Sequence, residues 1–335
     1  MSVFSRLRNQ TLRWWYNVPL PAGETDTTPV FQPWYRFESS VNKWVSFDST
    51  AAPTGARCSR RNDGKFVLVS WNVDASSPAP EARISALISR IQSLVTPADV
   101  IFLQEVSQSA LLALLEMPWL REHWYVSEAD TTNWGKQSFA SMTLVSRSQL
   151  TDPQHAALGP IWRVKYPSRF ERDALCCDIL LPSHEPEPGG KPLRLRLANV
   201  HLDSLPINPS LRPRQLSIVT SYLRAAGHGL VAGDFNPVLP DDDILVSVNG
   251  LQDVWNELHP SEAGFTWGVD GNEPFPPNRL DKVAMAGLKP CSIDIIAPGD
   301  TGQTGTVEKE EDLKHKHISL LKWSDHSGLV CSFML

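Results

Sequence analysis

No stretch of this chain stays apolar for the ~20 residues a helix needs to cross a bilayer, and its N-terminus lacks the apolar segment of a secretory signal. The expectation is a protein with no membrane segment. Cysteine is scarce as well. The five cysteines (Cys58, Cys176, Cys177, Cys291 and Cys331) are odd in number and lack Cys-x-x-Cys spacing, so neither a disulfide framework nor a zinc site is indicated. A reducing compartment, nucleus or cytoplasm, is the expected location. Positive charge is in deficit: the net charge of −6 argues against non-specific coating of nucleic acid, while a local basic groove could coexist with it. What remains is ordinary globular material, 335 residues with 41% hydrophobic and 20% charged, enough for one large domain or two small ones.

The most informative stretch is Leu230-Val231-Ala232-Gly233-Asp234-Phe235-Asn236-Pro237. An apolar run that stops at a glycine and then delivers a carboxylate and a carboxamide reads as a buried strand ending at a reactive rim. Side chains at i and i+2 share a face, so a strand that persists to Asn236 points Asp234 and Asn236 into the same space. The competing reading is a strand followed by a plain turn, since Asp and Asn before Pro are common turn formers.

Along the chain, residues 1–65 form an N-terminal extension in which Arg6, Arg8 and Arg13 lead into Trp14-Trp15-Tyr16, with a second aromatic group at Trp34-Tyr35-Arg36-Phe37 and Trp44. These rings are expected to pack the extension on the main domain, with a hairpin over Phe31 to Phe47. The main domain, 66–335, opens with a strand over Phe66 to Val73, a helix over Pro80 to Leu94, a second buried strand from Asp99 to Val106 and a helix capped by Ser107. Glu105 closes an otherwise apolar strand, so it must be paired, metal-bound or aimed into a solvated cleft. Strands follow at His123 to Ser127, Phe139 to Ser146, Trp162 to Tyr166, Ala174 to Leu181 and Leu193 to His201, then a helix over Pro209 to Ala226. The proline- and glycine-rich Pro182 to Pro192 reads as a hairpin connection, and Gly299 to His317 as a surface loop. Strand, helix, strand thus occurs twice, ending at Glu105 and at Asp234. Two such halves packed face to face predict an α/β fold with the strand ends meeting at one rim.

Trp71-Asn72, Gln104-Glu105-Val106, Gly233-Asp234-Phe235-Asn236, Arg279-Leu280-Asp281 and Ser324-Asp325-His326 resemble, in order and spacing, the motifs of the endonuclease/exonuclease/phosphatase family, which includes DNase I and the abasic-site endonucleases. Five segments in order across residues 66–335 make the resemblance specific. It implies a four-layered αββα sandwich, two packed mixed sheets flanked by helices, with a Mg²⁺-dependent phosphoesterase site at one rim. Within the family, His201-Leu202-Asp203-Ser204, the downstream Arg212, Arg214 and Gln215-Leu216, and Phe265-Thr266-Trp267 resemble the 5′-tyrosyl-DNA phosphodiesterases. Asp203 stands where that subfamily more usually has Glu, and Ser138 where a larger aromatic wall residue is expected.

The resemblance implies roles. Glu105 is the first choice of metal ligand, with Asn72 beside it and Asp325 contributing; hard oxygen ligands favour Mg²⁺, with Mn²⁺ as a substitute, over zinc. Asp234 would orient and deprotonate water, Asn236 would hold that water and a phosphate oxygen, and His201 and His326 would donate to developing charge. Asp281 would pair with His326 and favour its protonated form. Trp267 and Ser204 would line the substrate groove, and Arg212, Arg214, Arg224 and Lys282 would touch a DNA backbone. The expected activity is hydrolysis of a 5′-phosphotyrosyl-DNA bond by a monomer, as in repair of topoisomerase adducts. The alternatives are a DNA endo- or exonuclease, an inositol-phosphate or lipid phosphatase, and an inactive binding module on the same fold.

Overall fold

Every second residue of the long central strands is apolar at one end of the strand and polar at the other. Phe66 and Leu68 lead to Ser70 and Asn72; Val100 and Phe102 to Gln104; Leu195 and Leu197 to Asn199 and His201; Leu230 and Ala232 to Asp234. Because alternate side chains share a sheet face, such strands bury an apolar half and raise a polar half to one edge. This arrangement appears in the computed structural model, which describes residues 18–21, 27, 29–49, 65–150, 156–181, 193–271, 273–307 and 317–334. The expectations for Arg6 to Tyr16 and for Pro182 to Pro192 lie outside the described residues.

In chain order the elements are β1 (Pro29–Gln32), β2 (Trp34–Glu38), β3 (Lys43–Phe47), β4 (Lys65–Asn72), α1 (Pro80–Gln92), β5 (Val100–Ser107), α2 (Gln108–Glu116), β6 (Trp124–Val126), β7 (Phe139–Ser146), β8 (Ala157–Lys165), β9 (Asp173–Leu181) and β10 (Leu193–His201). There follow α3 (Arg212–Ala226), β11 (His228–Asp234), β12 (Gln252–Asp253), α4 (Val254–Leu258), β13 (Asp281–Ala286), β14 (Lys289–Ile296), β15 (Asp300–Val307), β16 (His317–Lys322) and β17 (Gly328–Met334). One sheet of seven strands runs β1-β8-β9-β10-β11-β13-β12, and another of eight runs β14-β17-β4-β5-β7-β6-β2-β3. Both are mixed: β4 with β5 and β10 with β11 are parallel, the remaining pairs antiparallel. The fold is the α/β sandwich of two sheets flanked by helices.

Three apolar clusters hold it. Phe66, Leu68, Phe102, Leu197, Leu230 and Phe333 are among the residues filling the space between the sheets. On one outer face Ile84, Leu87, Ile88 and Ile91 of α1 and Leu111 and Leu114 of α2 cover Val69, Ile101 and Leu103; on the other Leu216, Val219, Tyr222 and Leu223 of α3 cover Ala198, Val200 and Val231. The Ser107 side chain caps α2 by accepting from the Ala110 N–H.

The described part of the extension is laid into both sheets. β1 pairs with β8 in one, and after Pro33 the chain crosses to the other, where β2 pairs with β6 and forms a hairpin with β3. The hairpin thus spans residues 34–47 instead of beginning at Phe31, because Phe31 packs against Trp162 of the opposite sheet. Trp34, at the crossing, is 1% exposed and donates its indole N–H to the Gly159 carbonyl at 2.9 Å. Trp34→Ala is expected to lower unfolding free energy by about 3–5 kcal/mol in urea titrations, the cost of a core aromatic and its cavity. The segment read as a loop over Gly299 to His317 contains strand β15, which pairs with β16 beginning at His317. The threonines of β15 (Thr301, Thr304 and Thr306) suit a strand better than its glycines suggest. No helix among the described residues is long and apolar enough to span a membrane.

Candidate active site at the strand ends

The polar ends of β4, β5, β10, β11 and β13, with the turn before β17, meet at one edge. Asn72 lies at the centre. Its side-chain N–H groups donate to Asp234 Oδ2 at 3.1 Å and to Glu105 Oε1 at 3.3 Å, while its Oδ1 accepts from the Asp74 backbone at 3.0 Å. Glu105 Oε2 also takes the Ala75 N–H at 2.9 Å. The loop after Asn72 is held by buried Arg83, which donates to the carbonyls of Val73 and Asp74 and pairs with the Asp74 carboxylate at 2.8 Å. Asp234 Oδ1 accepts from the Asn236 N–H at 2.9 Å, closing a local turn, so the strand stops at Asp234 and Asn236 takes a left-handed φ of 47°. The i, i+2 alternation therefore does not place Asn236. Its amide reaches the Leu202 carbonyl at 3.2 Å, beside His201.

The surroundings push the two histidines in opposite directions. His326 Nδ1 meets Asp281 Oδ2 at 2.8 Å, and its Nε2 faces Asp234 Oδ2 at 4.0 Å. Burial alone would lower its pKa, but Asp281, Asp325 and Asp234 raise it well above the ordinary histidine value. His201 Nε2 faces Asp234 Oδ2 at 3.4 Å and Glu105 Oε1 at 3.7 Å. Burial, then the charges of Arg172 and His326, push its pKa well down. An Arg172 Nη1–H donates to His201 Nδ1, which fixes the neutral tautomer with its proton on Nε2. Arg172 also lies over the Phe139 ring, 4.9 Å from its centroid, and Phe139 stacks on His201.

Arg172 and Phe139 were not foreseen from the sequence, although Phe139 adjoins the position expected to carry an aromatic wall. The available signal was an arginine immediately before strand β9, ending the Pro167 to Arg172 turn. That turn is fastened by Asp203, whose Oδ2 accepts from the Arg169 N–H at 2.9 Å and whose Oδ1 accepts from Gln215 Nε2 at 2.7 Å. Ser204 comes within 3.4 Å of Arg172 Nη2.

The Ser324-Asp325-His326 turn is pinned to the end of β4. Ser324 Oγ donates to the Asn72 carbonyl at 2.6 Å, and Trp71 Nε1 donates to the His326 carbonyl at 2.9 Å. Asp325 is exposed at the rim and accepts from Trp267 Nε1 at 3.2 Å. Phe265 and Phe275 are exposed on the Trp267 segment.

Three cations expected to face DNA are committed elsewhere. Arg212 is buried, pairs with Asp242 at 2.7 Å and donates to the carbonyls of Asp203 and Leu205, so it shapes the loop under Ser204. Lys282 is buried 3.9 Å from Asp253; burial and neighbouring Arg279 bring its pKa down to about 8 against the pull of Asp253 and Asp243. Arg224 donates to the Asn249 carbonyl from the last turn of α3. Arg214 is exposed in the first turn of α3.

Carboxylates crowd the site. Asp234 is pushed up by burial and by Asp281 and Glu105, against the pull of the His326 charge; Asp325 is raised by desolvation and by Asp74 and Glu105, again against His326. Among the described residues no group of three or more His, Cys, Asp or Glu side chains is arranged to hold a metal ion on its own. A half-open carboxylate flanked by an amide and by further carboxylates instead suits a hard divalent cation that keeps most of its waters.

The sequence profile of the Endonuclease/Exonuclease/phosphatase family matches residues 69–326. In structure the chain is similar to D. rerio TDP2 humanized by 14 mutations, at 21% identity and TM-score 0.58, over 81% of this chain and 99% of that one. D. rerio TDP2 complexed with single strand DNA product gives 22% identity and TM-score 0.57, over 81% and 99%. TDP2 from C. elegans gives 19% and 0.57, over 81% and 75%. These identities speak for the fold alone, and no curated protein matches the sequence.

Proposed function

From the fact that the chain belongs to the Endonuclease/Exonuclease/phosphatase family, a family of phosphoester hydrolases, we propose that it is a divalent-cation-dependent phosphodiesterase acting on a 5′-phosphotyrosyl-DNA bond. The observation that carries the reading is the convergence of Asn72, Glu105, His201, Asp234, Asp281 and His326, drawn from six separate segments, in one layer joined by hydrogen bonds and by charge contacts of 3.4–4.0 Å.

Glu105 would hold the cation, with Asn72 beside it and Asp325 across the rim. Such an ion, Mg²⁺ or Mn²⁺, supplies charge neutralisation on the non-bridging phosphate oxygens when bound. The remaining chemistry belongs to the side chains. Asp234, oriented by Asn236 and Asn72, accepts a proton from the attacking water. The His326 imidazolium and the Nε2–H of neutral His201 donate to oxygens whose charge grows in the transition state. A phenolic leaving group, with a pKa of about 10, needs less protonation than a sugar alcohol, which agrees with a site that offers no further acid. The His201 to Ser204 segment and the exposed aromatics around Trp267, suited to stacking on bases, support a DNA end as substrate. Solved structures similar to this chain include D. rerio TDP2 complexed with single strand DNA product, and TDP2 is a 5′-tyrosyl-DNA phosphodiesterase.

The test is a panel of a 5′-phosphotyrosyl oligonucleotide, an abasic duplex, plain single-stranded DNA and inositol phosphates, each with and without EDTA. Release of tyrosine, abolished by EDTA, is expected. Preference for inositol phosphates would overturn the DNA assignment.

A pH dependence follows from the Asp281–His326 pair. The imidazolium is present below its raised pKa and lost as pH rises through it, so kcat/KM should fall on the alkaline side. Asp281→Asn removes the foremost carboxylate raising that pKa. The alkaline limb should then move to lower pH by about 1–3 units, as read from kcat/KM profiles. An unmoved limb would dissociate His326 from the rate.

A further inference from the structure

Glu105 should not face the seam between the sheets. On β5 the inward positions are Val100, Phe102 and Gln104, so strict alternation turns residue 105 outward. The pairing of β5 with β7 slips between Leu103 and Val106: Leu103 opposes Met142 and Val106 opposes Ala140, leaving two residues against one. This is a β-bulge, a device that re-aims a side chain. Glu105 itself has φ of 58°, a left-handed conformation that costs a non-glycine residue on the order of 1 kcal/mol and persists only when the surroundings enforce it.

Two carbonyls next to the bulge take hydrogen-bond donors from the opposite sheet. Asn199, on β10 of the opposite sheet and fully buried, supplies them: its Nδ2 donates to the Met142 carbonyl at 2.9 Å and to the Leu103 carbonyl at 3.2 Å. Carbonyls only accept, so the orientation of the Asn199 amide is fixed and its Oδ1 must face away from them. That oxygen accepts from Gln104 Nε2 at 2.8 Å, and the same nitrogen reaches Ser70 Oγ at 3.3 Å. Gln104 in turn lies against Gly233, where a Cβ would sit 3.1 Å from its Nε2 and 2.0 Å from the Val200 carbonyl. Gln104 precedes Glu105, Asn199 lies two residues before His201, and Gly233 precedes Asp234.

We propose that the Asn199–Gln104 amide bridge is the positioning element of the site: it holds the β5 bulge open, thereby aiming Glu105 inward and fixing its spacing from His201 and Asp234. Asn199 and Gln104 act through Glu105 and touch no substrate. The consequence for cation binding rests on the function proposed above; the consequence for backbone geometry does not.

The experiment compares Asn199→Ala, Gln104→Leu and, as a control for lost core packing, Leu197→Ala, which lies on the same strand and face one layer deeper. Two readouts are taken on unloaded full-length protein: the crystal structure with amide exchange at Glu105 and Val106, and calorimetric titration with Mn²⁺. Asn199→Ala and Gln104→Leu are expected to displace Glu105 from the Ala75 N–H, speed exchange at the bulge, and weaken Mn²⁺ binding about 10–100-fold, the usual scale for groups that orient a ligand. Leu197→Ala should lower the melting temperature and do neither. A bulge that stays in place, with Mn²⁺ affinity no weaker than in Leu197→Ala, overturns the proposal. If Asn199→Ala does not fold, Gln104→Leu decides by the same readouts, since it leaves the Asn199 contacts to the two carbonyls intact. A wild-type protein that binds no Mn²⁺, combined with a displaced bulge in the variants, would instead sink the cation reading and leave the positioning role standing.

Discussion

Glu105→Gln is expected to reduce single-turnover cleavage of a 5′-phosphotyrosyl oligonucleotide by about 10²–10⁴-fold, equivalent to losing a few kcal/mol of electrostatic stabilisation at the phosphate. The substitution keeps the size of the side chain and can keep the contact to the Ala75 N–H, but it removes the formal charge that raises Asp234 and Asp325. Weakened cation binding has its own signature: the concentration of Mg²⁺ needed for half-maximal rate should rise, and saturating Mn²⁺ should restore part of the activity. A loss of rate with unchanged cation dependence would move Glu105 out of the ligand role. Cleavage within about threefold of wild type would remove it from the site altogether, since even one oriented donor is worth more than that.

Asp234→Asn separates two effects that usually travel together. As proton acceptor Asp234 should be worth about 10²–10⁴ in kcat, and the isosteric amide, which still accepts from the Asn236 N–H, cannot take a proton from water. The same change relieves a buried carboxylate of desolvation and of its repulsion by Asp281 and Glu105, while turning an NH2 toward the Asn72 donor and removing the anion opposite His326. The opposed effects should leave the thermal midpoint within a few degrees of wild type while turnover falls by orders of magnitude. Equal loss of both would identify Asp234 as a structural residue.

The strands and helices were largely legible because their apolar periodicity is strong: β7 and β10 have the expected bounds, and α2 the expected cap. The convergence of the motifs was legible only as a resemblance, because nothing in the letters of Trp71-Asn72 or Ser324-Asp325-His326 says that an indole N–H will reach the His326 carbonyl. The misread residues share a cause. Arg212, Lys282 and Arg224 read as cations free to touch a DNA backbone, since cations usually lie at the surface, but Asp242, Asp253 and the Asn249 carbonyl lie too far along the chain to be recognised as their partners. Arg172 failed in the other direction, since an arginine in a polar turn carries no mark of aiming at a histidine 29 residues away. The bulge at Gln104-Glu105 has no sequence signature at all, because neither residue is a glycine.

The crossing at Pro33 has a mechanical corollary. One short run of chain is stitched to β8 in the first sheet and to β6 in the second, so sliding one sheet over the other would shear backbone pairings on both sides. The crossing thus acts as a pin between two plates and resists their relative slide. Glu105 and Asp234 sit on different leaves of this sandwich, so the same stitch opposes any slide that would draw the two carboxylates out of line.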